Sequence, residues 1–196
     1  MGNETFRILL DSDPNDQHGG GAVADTSVMS TLCEIQLAEA VLVAYSPIVI
    51  PAAVYAELRA GPNYQVFSAL CRSNTMSNRV HILESGSTLA MTCPGSRRRT
   101  DPISATEQAQ LRSLGAGEIA VIEHARELGI TALLDDGAAR KVASRMDVAV
   151  LGTIGILAEA ARQGLASGPD AADRLVAAGF RATPELLNQL RVIQTP

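Results

Sequence analysis

The 196-residue chain has no tryptophan, and aromatic residues make up only 3% of it. Stacking platforms of the kind that single-strand binding proteins build from rows of aromatics are therefore not expected. Lysine is almost missing too, since fifteen of the sixteen basic residues are arginine. GC-rich codon usage accounts for such a bias, and so does a demand for guanidinium forks on phosphate. Cys33, Cys71 and Cys93 are odd in number and widely spaced, with no C-x-x-C pair. They read as reduced thiols of a cytoplasmic protein rather than as a disulfide frame or soft-metal ligands. The three histidines are scattered, which leaves zinc chemistry without its ligand spacing. No leader-like segment and no membrane-length apolar run occurs, so no membrane is expected. The net charge of -5 argues against a protein that coats nucleic acid by phosphate neutralisation. It leaves room for an enzyme that meets nucleic acid through metal ions and a local basic patch.

Hydrophobic residues make up 46% of the chain, mostly Ala, Val, Leu and Ile. That composition suits closely packed helices on β-branched parallel strands. Apolar strand-like runs at 22–25, 46–50, 79–84, 130–134 and 148–151 alternate with helical patterns. The helices are expected at 28–44 (capped by Thr26 or Ser27), 51–60, 63–71, 104–111, 117–128, 138–146 and 152–162. Two more lie in 169–191, broken at 179–184. Ser104 and Glu107 form a capping-box pattern, and Gly129 stops the helix before it. Alternation of this kind predicts an α/β fold with a parallel sheet and right-handed crossovers. Residues 1–21 read as a polar extension with a weak strand at 6–10. Its Asp11-Ser-Asp13 resembles a phosphatase D-x-D, and His18-Gly-Gly-Gly resembles a lipase oxyanion loop. The latter lacks any G-x-S-x-G partner. The Arg97–Arg98–Arg99 cluster in the irregular stretch 85–103 reads either as a solvated loop or as a phosphate-contacting patch.

Residues 114–140, LGAGEIAVIEHARELGITALLDDGAAR, hold acids that packing does not explain. Glu118 falls in the first turn of a helix, and Asp135 and Asp136 follow a buried strand. Asp25 ends another apolar run at a strand-to-helix junction, the edge of an open sheet at which ligands bind. Glu57 follows a third strand, near the buried face of its helix. Carboxylates brought together this way repel unless cations neutralise them. Mg²⁺ and Mn²⁺ take oxygen ligands of this type. A pair of such ions about 4 Å apart can drive in-line phosphodiester cleavage without a histidine or a nucleophilic serine.

Six motifs in order carry a family resemblance. They are VADTSV at 23–28, IVIPAAVYAEL at 48–58, GAGEIAVIEHA at 115–125, LLDDGAAR at 133–140, GTIGIL at 152–157 and AAGFRATPELL at 177–187. Together they resemble PIN-domain ribonucleases, in particular a small prokaryotic branch. The resemblance implies a three-layer α/β PIN-like fold with a central parallel sheet flanked by helices. It implies a nuclease domain over 22–165 and a helical tail over 166–196 packed on it. It further implies an Mg²⁺- or Mn²⁺-dependent endoribonuclease acting on RNA, with Asp25, Glu57, Glu118 and one of Asp135 and Asp136 as metal-site acids. Strand alternation sends those last two to opposite sides, and the family pattern favours Asp135. Thr26 and Ser27 would lie beside the metal, and Arg140 near the phosphate or bridging an acid, with Thr153 of the G-T-x-G element alongside. An antitoxin protein and a homodimer partner are further expectations from the resemblance. A non-catalytic PIN-like binding module is the competing reading, and a phosphatase using Asp11 and Asp13 a third. Glu118 departs from the commoner branches, which carry Asp there.

Overall fold

The computed structural model describes residues 20–45, 47–83 and 101–193. The expected strand at 6–10, the Asp11–Asp13 and His18 motifs, Cys93 and the three-arginine cluster lie outside them. In chain order, β1 (Ala22–Ala24) leads into α1 (Thr26–Glu34) and α2 (Ala38–Leu42), and β2 (Ile48–Ile50) leads into α3 (Ala52–Ala60) and α4 (Tyr64–Arg72). Then come β3 (Val80–Ile82), α5 (Ala105–Leu111), α6 (Ala116–Leu128), β4 (Thr131–Leu133) and α7 (Gly137–Arg145). The chain finishes with β5 (Val150–Leu151), α8 (Thr153–Arg162), α9 (Gly168–Ala177) and α10 (Pro184–Arg191).

The five strands among the described residues form one sheet in the order β3-β2-β1-β4-β5, and every neighbouring pair is parallel. Successive side chains of a strand point to opposite faces. Every residue of β1 and β2 is nevertheless fully buried. Helices must therefore cover both faces, which gives the three-layer α/β PIN-like fold expected from the sequence. Ala22, Ala24 and Ala132 at the sheet centre leave room for those helices to approach.

One expected helix is two. The apolar pattern predicts a single helix over 28–44 started by Thr26 or Ser27, whereas Asp25 is the cap and the helix stops at Glu34. Gln36 turns left-handed, with φ of 57°. Its N–H donates to Cys33 O, and Leu37 N–H donates to Leu32 O, the paired bonds of a Schellman stop. The stop buries both Ile35 and Leu37, which a straight helix would point in different directions. Elsewhere the local signals hold. Ser104 and Glu107 form both halves of their capping box, and Gly129 ends α6 at φ of 65°.

Helices α9 and α10 share the core with the sheet: Ala171, Ala172, Leu175 and Leu190 belong to the same buried cluster. Arg174 Nη1 donates to Ile35 O at 3.0 Å, which ties α9 to the end of α1.

Candidate active site

The strand order decides where a site can form. From β1 the chain winds outward through β2 to β3, then returns to place β4 on the other side of β1. The carboxyl ends of β1 and β4 therefore flank the switch point of the sheet, where a crevice opens because the crossovers diverge. Ala24 pairs with Leu133, and Asp25 N–H donates to Leu133 O at 3.1 Å. The acids that follow these strands are brought together by that register.

Each acid has a local job as well. Asp25, only 6% exposed, caps α1: Oδ2 accepts from Ser27 N–H at 3.2 Å and from Ser27 Oγ at 2.7 Å. Asp136 caps α7, its Oδ1 accepting from Ala138 and Ala139 N–H, both at 2.8 Å. Asp135 is engaged through both oxygens. Oδ1 accepts from Thr153 N–H at 2.7 Å and Oδ2 from Thr153 Oγ1 at 2.6 Å, which joins the end of β4 to the start of α8. Thr153 is fully buried, so its hydroxyl serves Asp135 and has no surface to offer a phosphate.

Glu118 stands in the first turn of α6 and reaches back to accept from Gly115 N–H at 2.9 Å. Gly115 has no side chain to return the bond, so only one half of a capping box exists here. Glu57, on exposed α3, accepts from Thr26 Oγ1 at 2.5 Å. It is held close to α6 because residue 117 is glycine. A Cβ there would stand 3.0 Å from Glu57 Oε1 and 3.2 Å from Oε2.

The charges interact. Partial burial pushes the Glu118 carboxyl up from its ordinary value, and the negative charges of Asp136, Asp25 and Glu57 push the same way, against the opposing bond from Gly115. Asp136 is the first of the neighbouring acids in this effect.

A cleft of about 500 Å³ opens above the crevice, with Asp25, Ser27, Glu118, Asp135, Asp136 and Arg140 on its acidic side. Glu57, Thr26 and Thr153 are not part of this lining. Arg140 is half-buried, and a Cβ at Gly152 would stand 2.7 Å from its Nη1 and 3.0 Å from Asp135 Oδ1. The rest of the lining is Gly152, Ile154, Gly155, Phe180, Arg181 and Leu186. None of Phe180, Arg181 and Leu186 was expected at the site. The only sequence signal for them is the AAGFRATPELL element, which shows a helix stop and a new start but no chemistry.

The donor chemistry suits a hard divalent cation, since the lining offers carboxylate and hydroxyl oxygens and neither histidine nor cysteine. Among the described residues, no three acids, histidines or cysteines are spaced as a ready-made ligand set. The carboxylates are turned instead onto protein donors. A cation would compete with those bonds and would relieve the repulsion that adds to burial in raising Glu118.

A family model described as a PIN domain matches residues 94–194. The matched range includes Glu118, Asp135, Asp136 and Arg140, while Asp25 and Glu57 precede it. No curated protein matches the chain. The architecture is of nuclease type, and the match covers more than half of the 196 residues. On that match the chain belongs to the PIN-domain family.

Proposed function

We propose that this protein is a metal-dependent endoribonuclease that hydrolyses phosphodiester bonds of RNA in the cleft at the ends of β1 and β4. The observation that carries the reading is that Asp25, Glu118, Asp135 and Asp136, from three separate places in the chain's strand-to-helix junctions and first helical turns, line one cleft. Asp25, Glu118 and Asp136 would hold Mg²⁺ or Mn²⁺, with Glu57 held by Thr26 and Asp135 by Thr153. When bound, such an ion supplies charge neutralisation and Lewis-acid chemistry at a phosphate. The chain's own groups do the rest. Ser27 and Thr26 orient the carboxylates of Asp25 and Glu57 by hydrogen bonds. Arg140 has no carboxylate partner among the described residues, which leaves its guanidinium to fork a phosphate oxygen pair.

The test compares wild type with Asp25→Asn in Mn²⁺ on a pool of structured and single-stranded RNAs. The reading requires cleavage that the variant reduces by a hundredfold or more, on the order of the 2.7 kcal/mol or more that loss of a charge-stabilising group removes. Equal rates would sink it. Asn keeps the shape of the side chain and one acceptor for Ser27, so the fold is preserved.

A second reading, a non-catalytic binding module, draws on the hydrogen bonds that engage each acid with a protein donor. Titration calorimetry separates the two: a module takes up no Mn²⁺ at millimolar concentration. Toxin activity with an antitoxin, and a homodimer, belong to the leading reading. Light scattering on the purified chain tests the dimer, and growth arrest on expression, abolished by Asp25→Asn, tests the toxin.

A further inference from the structure

Part of the cleft lining is supplied by the corner between α9 and α10. Helix α9 ends in a second Schellman stop. Gly179 turns left-handed at φ of 71°, its N–H donates to Val176 O at 3.0 Å, and Phe180 N–H donates to Leu175 O at 2.9 Å. The next residues run directly to Thr183, which caps α10 by accepting from Leu186 N–H. Phe180 and Arg181 are thereby presented to the cleft on a short, doubly anchored corner. The hairpin beneath it is rigid. Arg191 bridges to Asp173 at 2.9 Å, Gly168 lies against the Leu190 carbonyl too closely for any side chain, and Leu175 and Leu190 are buried.

The arginines of this hairpin divide by use. Arg174 bridges Asp170 at 2.9 Å and donates to Ile35 O, and Arg191 is taken by Asp173. Arg181 is exposed and has no hydrogen-bond or ion-pair partner among the described residues, although four carboxylates line the same cleft. An unpaired arginine and a group of acids in one cleft suit a ligand that brings an anion to the arginine and a phosphodiester to the acids. Phe180 is half-buried beside it and is the cleft's only aromatic among the described residues, whereas Phe67 is fully buried in the core. The cleft volume lies within the roughly 300–1,000 Å³ typical of pockets for small ligands.

We infer that the Phe180–Arg181 corner is a subsite for one nucleotide of single-stranded RNA adjoining the cleaved bond, with Arg181 on its phosphate and the ring of Phe180 against its base. The inference deepens the proposed function and rests on RNA being the substrate. One aromatic is enough for one base, so the subsite agrees with a chain too poor in aromatics for a stacking platform. Paired bases are already stacked and withhold their faces, so the subsite selects single strands.

The experiment measures fluorescence anisotropy of a short labelled oligouridylate and of a labelled RNA duplex against the full chain carrying Asp25→Asn, which blocks cleavage. Arg181→Ala and Phe180→Leu are added to that background, with Phe180→Tyr as the variant that keeps the ring. Arg181→Ala is expected to weaken oligouridylate binding and to lower the slope of log K against log salt by about 0.7, one phosphate contact on a single strand. Phe180→Leu, which keeps an apolar side chain for packing, is expected to weaken it by roughly five- to a hundredfold, with Phe180→Tyr restoring it and the duplex little affected. Thermal melting of each variant confirms the fold. Oligouridylate binding unchanged by both substitutions, or oligouridylate and duplex weakened alike, overturns the subsite while wild-type cleavage keeps the nuclease standing. A background protein that binds no RNA, beside a wild type that cleaves none, overturns the nuclease reading and the subsite with it.

Discussion

At the scale of single residues, the two neighbouring aspartates after β4 do different things. Asp135 has both oxygens on Thr153, whereas Asp136 leaves Oδ2 clear of its cap bonds and acts on Glu118. Asp136→Asn should therefore weaken Mn²⁺ binding by more than about tenfold in calorimetry. Thr153→Val should leave that affinity near wild type but lower stability in urea by about 1 kcal/mol, because it removes a part-buried hydrogen bond to Asp135. The opposite pattern would make Asp135 the ligand that the family pattern favours. Glu118 gives a pH signature in the metal-free protein. Its folded value is raised above 4.5, so between 4.5 and that raised value the folded chain holds more protons than the unfolded one. Stability contributed by this residue is thus present at low pH and lost as pH rises through that window. Thermal melts in chelator should place Glu118→Gln above wild type at neutral pH and level with it below 4.5. A variant that melts lower at neutral pH would mean that the Gly115 bond outweighs the repulsion. Cys33, by contrast, is buried and its thiol pushed up to about 11 by that burial, which leaves it unreactive at neutral pH.

At the scale of elements, close approach and caps decide the site. Gly117 lets the Glu57 carboxylate lie against the first turn of α6, where a Cβ would stand 3.0 Å from Oε1. Gly117→Ala should favour the helix by up to about 1 kcal/mol while displacing the Glu57 carboxylate. A melting temperature equal to or above wild type, with Mn²⁺ affinity down about tenfold, is the expected result. Unchanged affinity would show that Glu57 is not needed. The broken helix gives an independent test. Gln36 is exposed and left-handed, so Gln36→Gly should add about 1 kcal/mol in urea denaturation by removing the strain of a Cβ. The capping box at Ser104 and the stop at Gly129 were readable because each rests on a few adjacent residues. The Gln36 stop was not, because Gln carries no left-handed preference and is placed there by the burial of Ile35 and Leu37 on either side.

At the scale of the whole molecule, the acidic crevice stores repulsion that a divalent cation would remove. Mn²⁺ should therefore raise the unfolding free energy, by about 2.7 kcal/mol at a hundred times its dissociation constant. The gain should shrink on acidification as the carboxylates protonate. A melting temperature indifferent to Mn²⁺ at neutral pH would favour the binding module. Among the described residues, no helix is long and apolar enough to cross a membrane.

The alternation of strands and helices was legible in the residues, because it depends on near neighbours in the chain; so was the presence of acids at 25, 57, 118, 135 and 136 at strand ends and helix starts. The order β3-β2-β1-β4-β5, which sets the ends of β1 and β4 side by side, was visible only in the folded chain. So were the engagement of Asp135 by Thr153, eighteen residues away, and the sharing of one cleft by Phe180, Arg181 and the acids. Those facts rest on contacts between distant segments. A hydrophobic pattern records that a face is buried, but not which other segment buries it.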